Sequence, residues 1–162
     1  PRGYEGMSKR LLFSLVVPGA PMGKQRPKAS VVAGHAHIYT PGPTQRYESL
    51  VRSEYERAAC DSSGAIPCPF PGALEIEVRA YFPLGKSDYT PKGKISKSGE
   101  RKLSGELMPT KKPDFDNIAK IAVDALNGIA FVDDSQICVA RVSKEYSASP
   151  RVEISAYAIV RE

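Results

Sequence analysis

The 162-residue chain is 41% hydrophobic and has no apolar run near the length of a membrane span, which suits one soluble domain with a modest core and excludes a membrane-spanning helix. A formal net charge of +5 and a pI of about 9.1 favour a polyanionic partner without demanding one. Cys60, Cys68 and Cys138 form neither a CxxC pair nor an even set, and no secretory h-region is present, so a disulfide scaffold is excluded and a reducing cytoplasm is expected.

In chain order, residues 1–6 read as an imprecise start, because Met7-Ser8-Lys9 is a natural opening; the expected domain is 7–162. Residues 11–17 form a short apolar run that predicts a buried strand. The turn-rich segment 18–28 carries Lys24, Arg26 and Lys28, held between Gly and Pro, where they can contact phosphates. His35 and His37 lie on a Gly-flanked segment with hairpin character. Alternating strand geometry makes them a half-exposed polar face, and the usual zinc sites need more histidine or cysteine ligands than the chain spaces suitably.

Thr44 is placed to cap a helix whose stripe is Tyr47, Leu50, Val51, Tyr55, Ala58 and Ala59. Its other face mixes Arg46, Arg52 and Arg57 with Glu48, Glu54 and Glu56, the pattern of a solvated surface without chemistry. A Ser-, Gly- and Pro-rich loop follows, then residues 74–82 alternate as a half-buried strand. Residues 83–110 are basic, with Lys86, Lys92, Lys94, Lys97, Arg101 and Lys102 but few apolar anchors, so they are not expected to fold alone. Residues 137–142 and 152–159 predict two further strands joined through Pro150. The expected fold class is therefore α+β: a single domain with a mixed β-sheet of about four or five strands packed against two helices.

The chemistry concentrates in Lys112-Pro113-Asp114-Phe115-Asp116-Asn117-Ile118-Ala119-Lys120, with Asp124, Asp133 and Asp134 following. Ionised carboxylates crowded together repel unless a hard cation neutralises them, and Mg²⁺ takes carboxylate oxygen while leaving positions to water and phosphate. An extended Asp-Phe-Asp triplet would send Asp114 and Asp116 to one side, and Asp116 is expected to cap a helix ended by Gly128. Asp116, Lys120 and Asp124 then follow at i, i+4, i+8 on the polar face, so the lysine lies one turn from a candidate metal ligand. Each element has a bland account as a cap, a solvated ion pair or a turn. Their convergence on one helix end, opposite its apolar face, favours a metal site in a cationic, nucleic-acid-directed protein.

The run from Lys112 to Asn117, Lys120, Asp124-Ala125-Leu126-Asn127-Gly128, Asp133-Asp134-Ser135-Gln136-Ile137 and Ser143-Lys144-Glu145-Tyr146 resembles the signature of the RusA family of Holliday junction resolvases, particularly its phage-borne branch. Upstream, residues 18–28, Tyr39-Thr40-Pro41, Thr44 and Tyr47-Glu48 are similar to the family's N-terminal half, so nearly the whole chain is covered. The resemblance implies a bacterial or phage-encoded, cytoplasmic, Mg²⁺-dependent homodimeric endonuclease, with Mn²⁺ as a possible substitute, that nicks four-way junction DNA in pairs. It implies catalytic carboxylates at Asp114, Asp116 and Asp134, an active-site lysine at Lys120, Asp133 as a further candidate ligand, and DNA contacts from Lys24, Arg26, Lys28, Lys111, Lys112 and Lys144.

Two departures matter. Segment 83–110 is an insertion relative to compact family members, expected to be either a basic flap that orders on DNA or a dispensable loop. Asp133 and Asp134, if in a strand, would face opposite sides, and the resemblance favours Asp134. Two other readings of the same residues are a different metal-dependent nuclease, cutting flaps or nicked duplex, and a non-catalytic junction-binding protein.

Overall fold

The computed structural model describes residues 7–161. Its centre is a four-stranded mixed sheet in the order β1–β6–β4–β5, formed by β1 (Met7–Pro18), β4 (Leu74–Phe82), β5 (Ile137–Tyr146) and β6 (Arg151–Arg161). β4 runs parallel to β5 and antiparallel to β6, and β6 is antiparallel to β1. A separate two-stranded ribbon pairs β2 (Lys28–Val32) with β3 (His35–Tyr39). The helices are α1 (Gly42–Ala59), α2 (Lys97–Leu103) and α3 (Phe115–Leu126). Among the described residues no helix is long and apolar enough to cross a membrane.

Period-two patterning selects the buried face. Leu74, Ile76, Val78 and Ala80 of β4, Val152, Ile154, Ala156 and Ala158 of β6, and Phe13, Leu15 and Val17 of β1 are all buried. α1 contributes Val51 and Tyr55 to this core, and α3 contributes Ile118, Ala122, Ala125 and Leu126. Each large side chain fully buried this way contributes about 1.5–3 kcal/mol. The Phe13 and Tyr55 rings meet edge-on at 4.9 Å. A register shift between Leu11 and Phe13 turns both Leu12 and Phe13 onto the core, so β1 is longer and less regular than a simple apolar run.

The opposite sheet face is polar. There Glu75 is 5% exposed and accepts from Lys9 Nζ and Arg141 Nε, each at 2.9 Å, joining β4 to its neighbour β5 and, across β6, to β1. Burial alone would raise the Glu75 carboxyl. The hydrogen bonds from Lys9 and Arg141 outweigh it and hold the group below the usual glutamate value.

Residues 83–110 are folded, contrary to the expectation from their few apolar anchors. Their organising group is Asp88, 1% exposed, which accepts from Lys102 Nζ at 2.7 and 2.8 Å, from Ser98 Oγ at 3.1 Å and from the Gly85 N–H at 2.8 Å. Gly99 lets α2 press on this group, since a Cβ there would lie 2.7 Å from the Asp88 carbonyl oxygen. Lys102 also lies 4.9 Å above the Tyr146 ring of β5, tying the insertion to the sheet edge. A satisfied ion pair thus replaces the missing apolar core, which a count of hydrophobic residues does not register. Lys86, Lys92, Lys94 and Lys97 remain exposed on its surface.

Hydrogen bonding from Lys102, ahead of the opposing desolvation, holds the Asp88 carboxyl below its ordinary value. A depressed native value means that this stabilisation is complete above the unfolded carboxylate value of about 3.9 and is lost as pH falls through the lower native one. Asp88→Asn should abolish amide-exchange protection across residues 90–103 at neutral pH while sparing β4 and β6; protection that persists would show that Asp88 is not the lock.

Candidate active site

After β1 the chain turns at Gly19, whose N–H donates to the Pro150 carbonyl at 3.1 Å, and residues 20–27 cross the start of α3. Contact there is close enough to require glycine. A Cβ on Gly23 would sit 2.7 Å from Pro113 Cβ and 3.2 Å from Asn117 Cβ. The next residue, Lys24, donates its backbone N–H to the Asn117 carbonyl at 2.8 Å. Between loop and helix start lies an open groove of about 760 Å³, lined among others by Lys24, Arg26, Lys112, Asp114 and Asn117.

The acidic motif is held from the sheet as well. Lys144 pairs in register with Ala80, whose side chain is buried on the helix-covered face, so its ammonium rises toward the motif. It donates to the Lys111 carbonyl at 2.6 Å and the Pro113 carbonyl at 2.9 Å, and its Nζ lies 5.4 Å from the Phe82 ring centroid. Lys111 and Lys112 themselves are exposed.

α3 begins two residues earlier than expected. Asp114 (φ −71°, ψ 151°) is the N-cap, and its carbonyl accepts the first helical bond from Ile118 N–H at 3.1 Å; Phe115 and Asp116 already belong to the first turn. The pleat argument for Asp114 and Asp116 therefore fails, since only Asp114 is extended. Both carboxylates are exposed, and Phe115 between them is 64% exposed. The positive end of the helix dipole favours negative charge at these positions.

Asp133 and Asp134 are not in a strand. Asp133 (φ −152°, ψ 146°) precedes a 3₁₀ turn, Asp134–Gln136, that leads into β5. The Asp133 carboxylate accepts from the Ser135 hydroxyl, so it is occupied in shaping its own turn. Gln136 anchors that turn: its Oε1 accepts from the Asp133 N–H at 2.7 Å, and its Nε2 donates to the carbonyls of Phe70 and Gly72 at 2.9 and 2.8 Å.

A charged network links α1 to α3. The Lys24 ammonium contacts Glu48 and lies 3.0 Å from Asp124, which is 3.4 Å from Lys120. Glu48 is only 12% exposed, so this residue of the supposed solvated face belongs to the site's support. Burial works against the Lys24 charge, but hydrogen bonds to Glu48 and Asp124 prevail and hold the ammonium above its ordinary value, fully protonated. Lys24 is thus a structural bridge, whereas Lys120 is 60% exposed. Arg26 and Lys28 are exposed as well.

None of Asp114, Asp116, Asp133 and Asp134 forms an ion pair with a described residue. Nor do three His, Cys, Asp or Glu side chains among the described residues converge closely enough to cage a metal ion. The donor chemistry nonetheless fits Mg²⁺, which binds through one or two carboxylates and takes its other oxygens from water and substrate phosphate. Sequence reasoning passed over Glu48, Gln136, Gly23 and Asn117. Gln136 and Glu48 stood within recognisable motifs, whereas the Gly23 contact with residues 113–117 has no sequence-local signal.

Gly23→Ala should destabilise the protein by ~1–3 kcal/mol through overpacking, read as a lowered urea midpoint; an unchanged midpoint would mean the loop lifts off Pro113 freely. Lys144→Met should speed amide exchange across residues 111–117 without affecting β4 and β6. Unaltered exchange there would remove the tether.

Comparison with known proteins accords with this arrangement. The family model described as Endodeoxyribonuclease RusA matches residues 18–157. The "Uncharacterized protein YqaN" of Bacillus subtilis (strain 168) is 35% identical over 145 residues, covering 88% of this chain and 93% of the relative. With the loop, the acidic helix, β5 and most of β6 inside the matched region, the chain belongs to the RusA family of endodeoxyribonucleases, the Holliday junction resolvases its motifs resemble.

Proposed function

We propose that this protein resolves four-way DNA junctions by paired, symmetric, Mg²⁺-dependent nicking, in recombination and repair. The observation that supports the reading is the family match together with exposed, unpaired Asp114, Asp116 and Asp134 in the matched region, the first of them lining a groove with Lys112 and Arg26. Asp114, Asp116 and Asp134 are the candidate carboxylates, of which one or two would hold the ion; Asp133 is the weaker candidate because Ser135 already occupies it. When bound, Mg²⁺, or Mn²⁺ in its place, supplies polarisation of the scissile phosphate and an acidified water.

The remaining work falls to the chain's own cations. Arg26, Lys111 and Lys112 offer exposed positive charge beside Asp114, where a DNA backbone must approach four carboxylates that would otherwise repel it. Lys120 rests against Asp124 at 3.4 Å, a weak contact in an exposed setting, and Asp124 is shared with Lys24. The Lys120 ammonium is therefore loosely held and able to turn toward negative charge that grows on phosphoryl oxygens. Stabilisation realised mainly in the transition state affects turnover more than affinity. Two-fold pairing of subunits suits a junction with near two-fold symmetry, in which opposing strands are cut at equivalent places.

Incubated with labelled junction, flap, nicked duplex and plain duplex, the protein should nick the junction in symmetric pairs with Mg²⁺ and bind it without nicking in EDTA. Asp116→Asn should bind and not cut. Metal-dependent cutting of flaps in preference to junctions would assign a different nuclease, and binding without cutting under any metal would assign a binding protein. Lys120→Met should lower kcat by about 10²–10³ while changing junction affinity less than about threefold. Equal losses in both would contradict the role given to Lys120.

A further inference from the structure

The β2–β3 ribbon is the part of the described fold that no packing accounts for. Every residue of β3 is exposed, and in β2 only Ser30 is partly covered. Val31 is 74% exposed, Ile38 79% and Tyr39 46%. A two-stranded hairpin in water is marginal by itself, so an exposed ribbon of this kind needs a partner. Its geometry is well defined: Ala33 and Gly34 both take positive φ, 51° and 82°, forming a two-residue turn that sets the register Val32↔His35 through Lys28↔Tyr39.

Cross-strand partners share a face, so the ribbon has two unlike sides. One carries Lys28 with Tyr39, Ser30 with His37, and Val32 with His35. The other carries Ala29 with Ile38 and Val31 with Ala36. The first side combines a cation, a phenol and imidazoles, the groups that contact phosphate and stack on bases. Its surroundings agree in sign, for the sequence holds no Asp or Glu between Met7 and Glu48. The ribbon also leads directly from Lys24, Gln25 and Arg26, which line the groove at Asp114.

Size argues against a second copy of the chain as the occupant. Two strands of five residues cover roughly 17 by 10 Å, about 200 Å², far below the ~800 Å² per partner that a stable protein interface takes. The same dimensions suit a nucleic-acid groove or an opened strand, since the B-form major groove is ~12 Å wide and admits a two-stranded ribbon. We infer that the β2–β3 ribbon is a DNA-binding arm, which lays its Lys28–Tyr39–His37 face on the strand leading into the carboxylate groove. This rests on the resolvase reading for the identity of the DNA, not for the arm itself.

The test compares the full chain with its Lys28→Ala/His37→Ala/Tyr39→Ala triple variant in EDTA, using labelled four-way junction and duplex across a salt series, with sedimentation and melting measured alongside. The triple variant should bind the junction at least about tenfold more weakly, with a salt slope shallower by about one, at unchanged mass and Tm. Tyr39→Phe should keep the affinity and Tyr39→Ser lose it, and 5-iododeoxyuridine near the branch point should cross-link to Tyr39. Unchanged affinity and slope would overturn the arm, as would a triple variant that falls apart into smaller assemblies, which would assign the ribbon to contacts between copies. Cutting with Mg²⁺ is scored separately. A triple variant that binds as wild type and still cuts removes the arm and leaves the resolvase reading. A wild type that needs the ribbon to bind but cuts no branched DNA removes the resolvase reading and leaves the arm, and one that binds no DNA removes both.

Discussion

The site depends on how residues 111–117 are pinned from two directions. From below, Lys144 on β5 donates to the carbonyls of Lys111 and Pro113. From above, the absence of a side chain at Gly23 lets the loop after β1 lie directly on Pro113 and Asn117, with a backbone bond from Lys24 completing the contact. Exposed carboxylates on an unsupported turn would adopt many arrangements. Held at the end of a helix whose opposite face is buried in the core, their backbone has little freedom left, which is the condition for preorganised electrostatics.

Charge does structural work throughout this cationic chain. Glu75 joins three strands through Lys9 and Arg141, Asp88 organises the insertion through Lys102, and Glu48 with Asp124 grips Lys24 between α1 and α3. Glu75, Asp88 and Asp124 each meet more than one donor, and Glu48 meets the shared Lys24 ammonium, which offsets the cost of removing these carboxylates from water. The exposed pairs, such as Arg101 with Glu106, are screened by solvent and are incidental by comparison. Against this background, Asp114, Asp116 and Asp134 stand out as exposed carboxylates without an ion-pair partner among the described residues.

The insertion and the ribbon show two ways for a segment poor in apolar residues to be ordered. The insertion satisfies a buried ion internally and leans on Tyr146. The ribbon closes through a turn and a ladder but leaves both faces open. Both precede the acidic motif in the sequence, the ribbon far upstream and the insertion directly before it. Lys28 on the ribbon and Lys86, Lys92, Lys94 and Lys97 on the insertion add exposed positive charge to a chain of net charge +5, a balance that favours a polyanionic partner.

Much of this was legible in the chain. Period-two alternation in residues 74–82 and 152–159 and helical spacing from Ile118 to Ala125 identify the sheet and the covering helix, because burial acts on local patterns. The spacing of Asp114, Asp116, Lys120 and Asp134 likewise marks the candidate site, since donor type is a property of the residue alone. What only the tertiary structure decided is which charges are free. Lys24 and Lys144 look like DNA-facing cations in sequence, yet one bridges Glu48 to Asp124 and the other holds two carbonyls. Asp133 and Asp134 are equivalent in sequence, and a single hydroxyl from Ser135 separates their surroundings. Residue type and periodicity are local, but Lys24 and Lys144 are satisfied by partners well away in the sequence, from Glu48, 24 positions on, to Asp124 in the third helix, and only the folded chain supplies them.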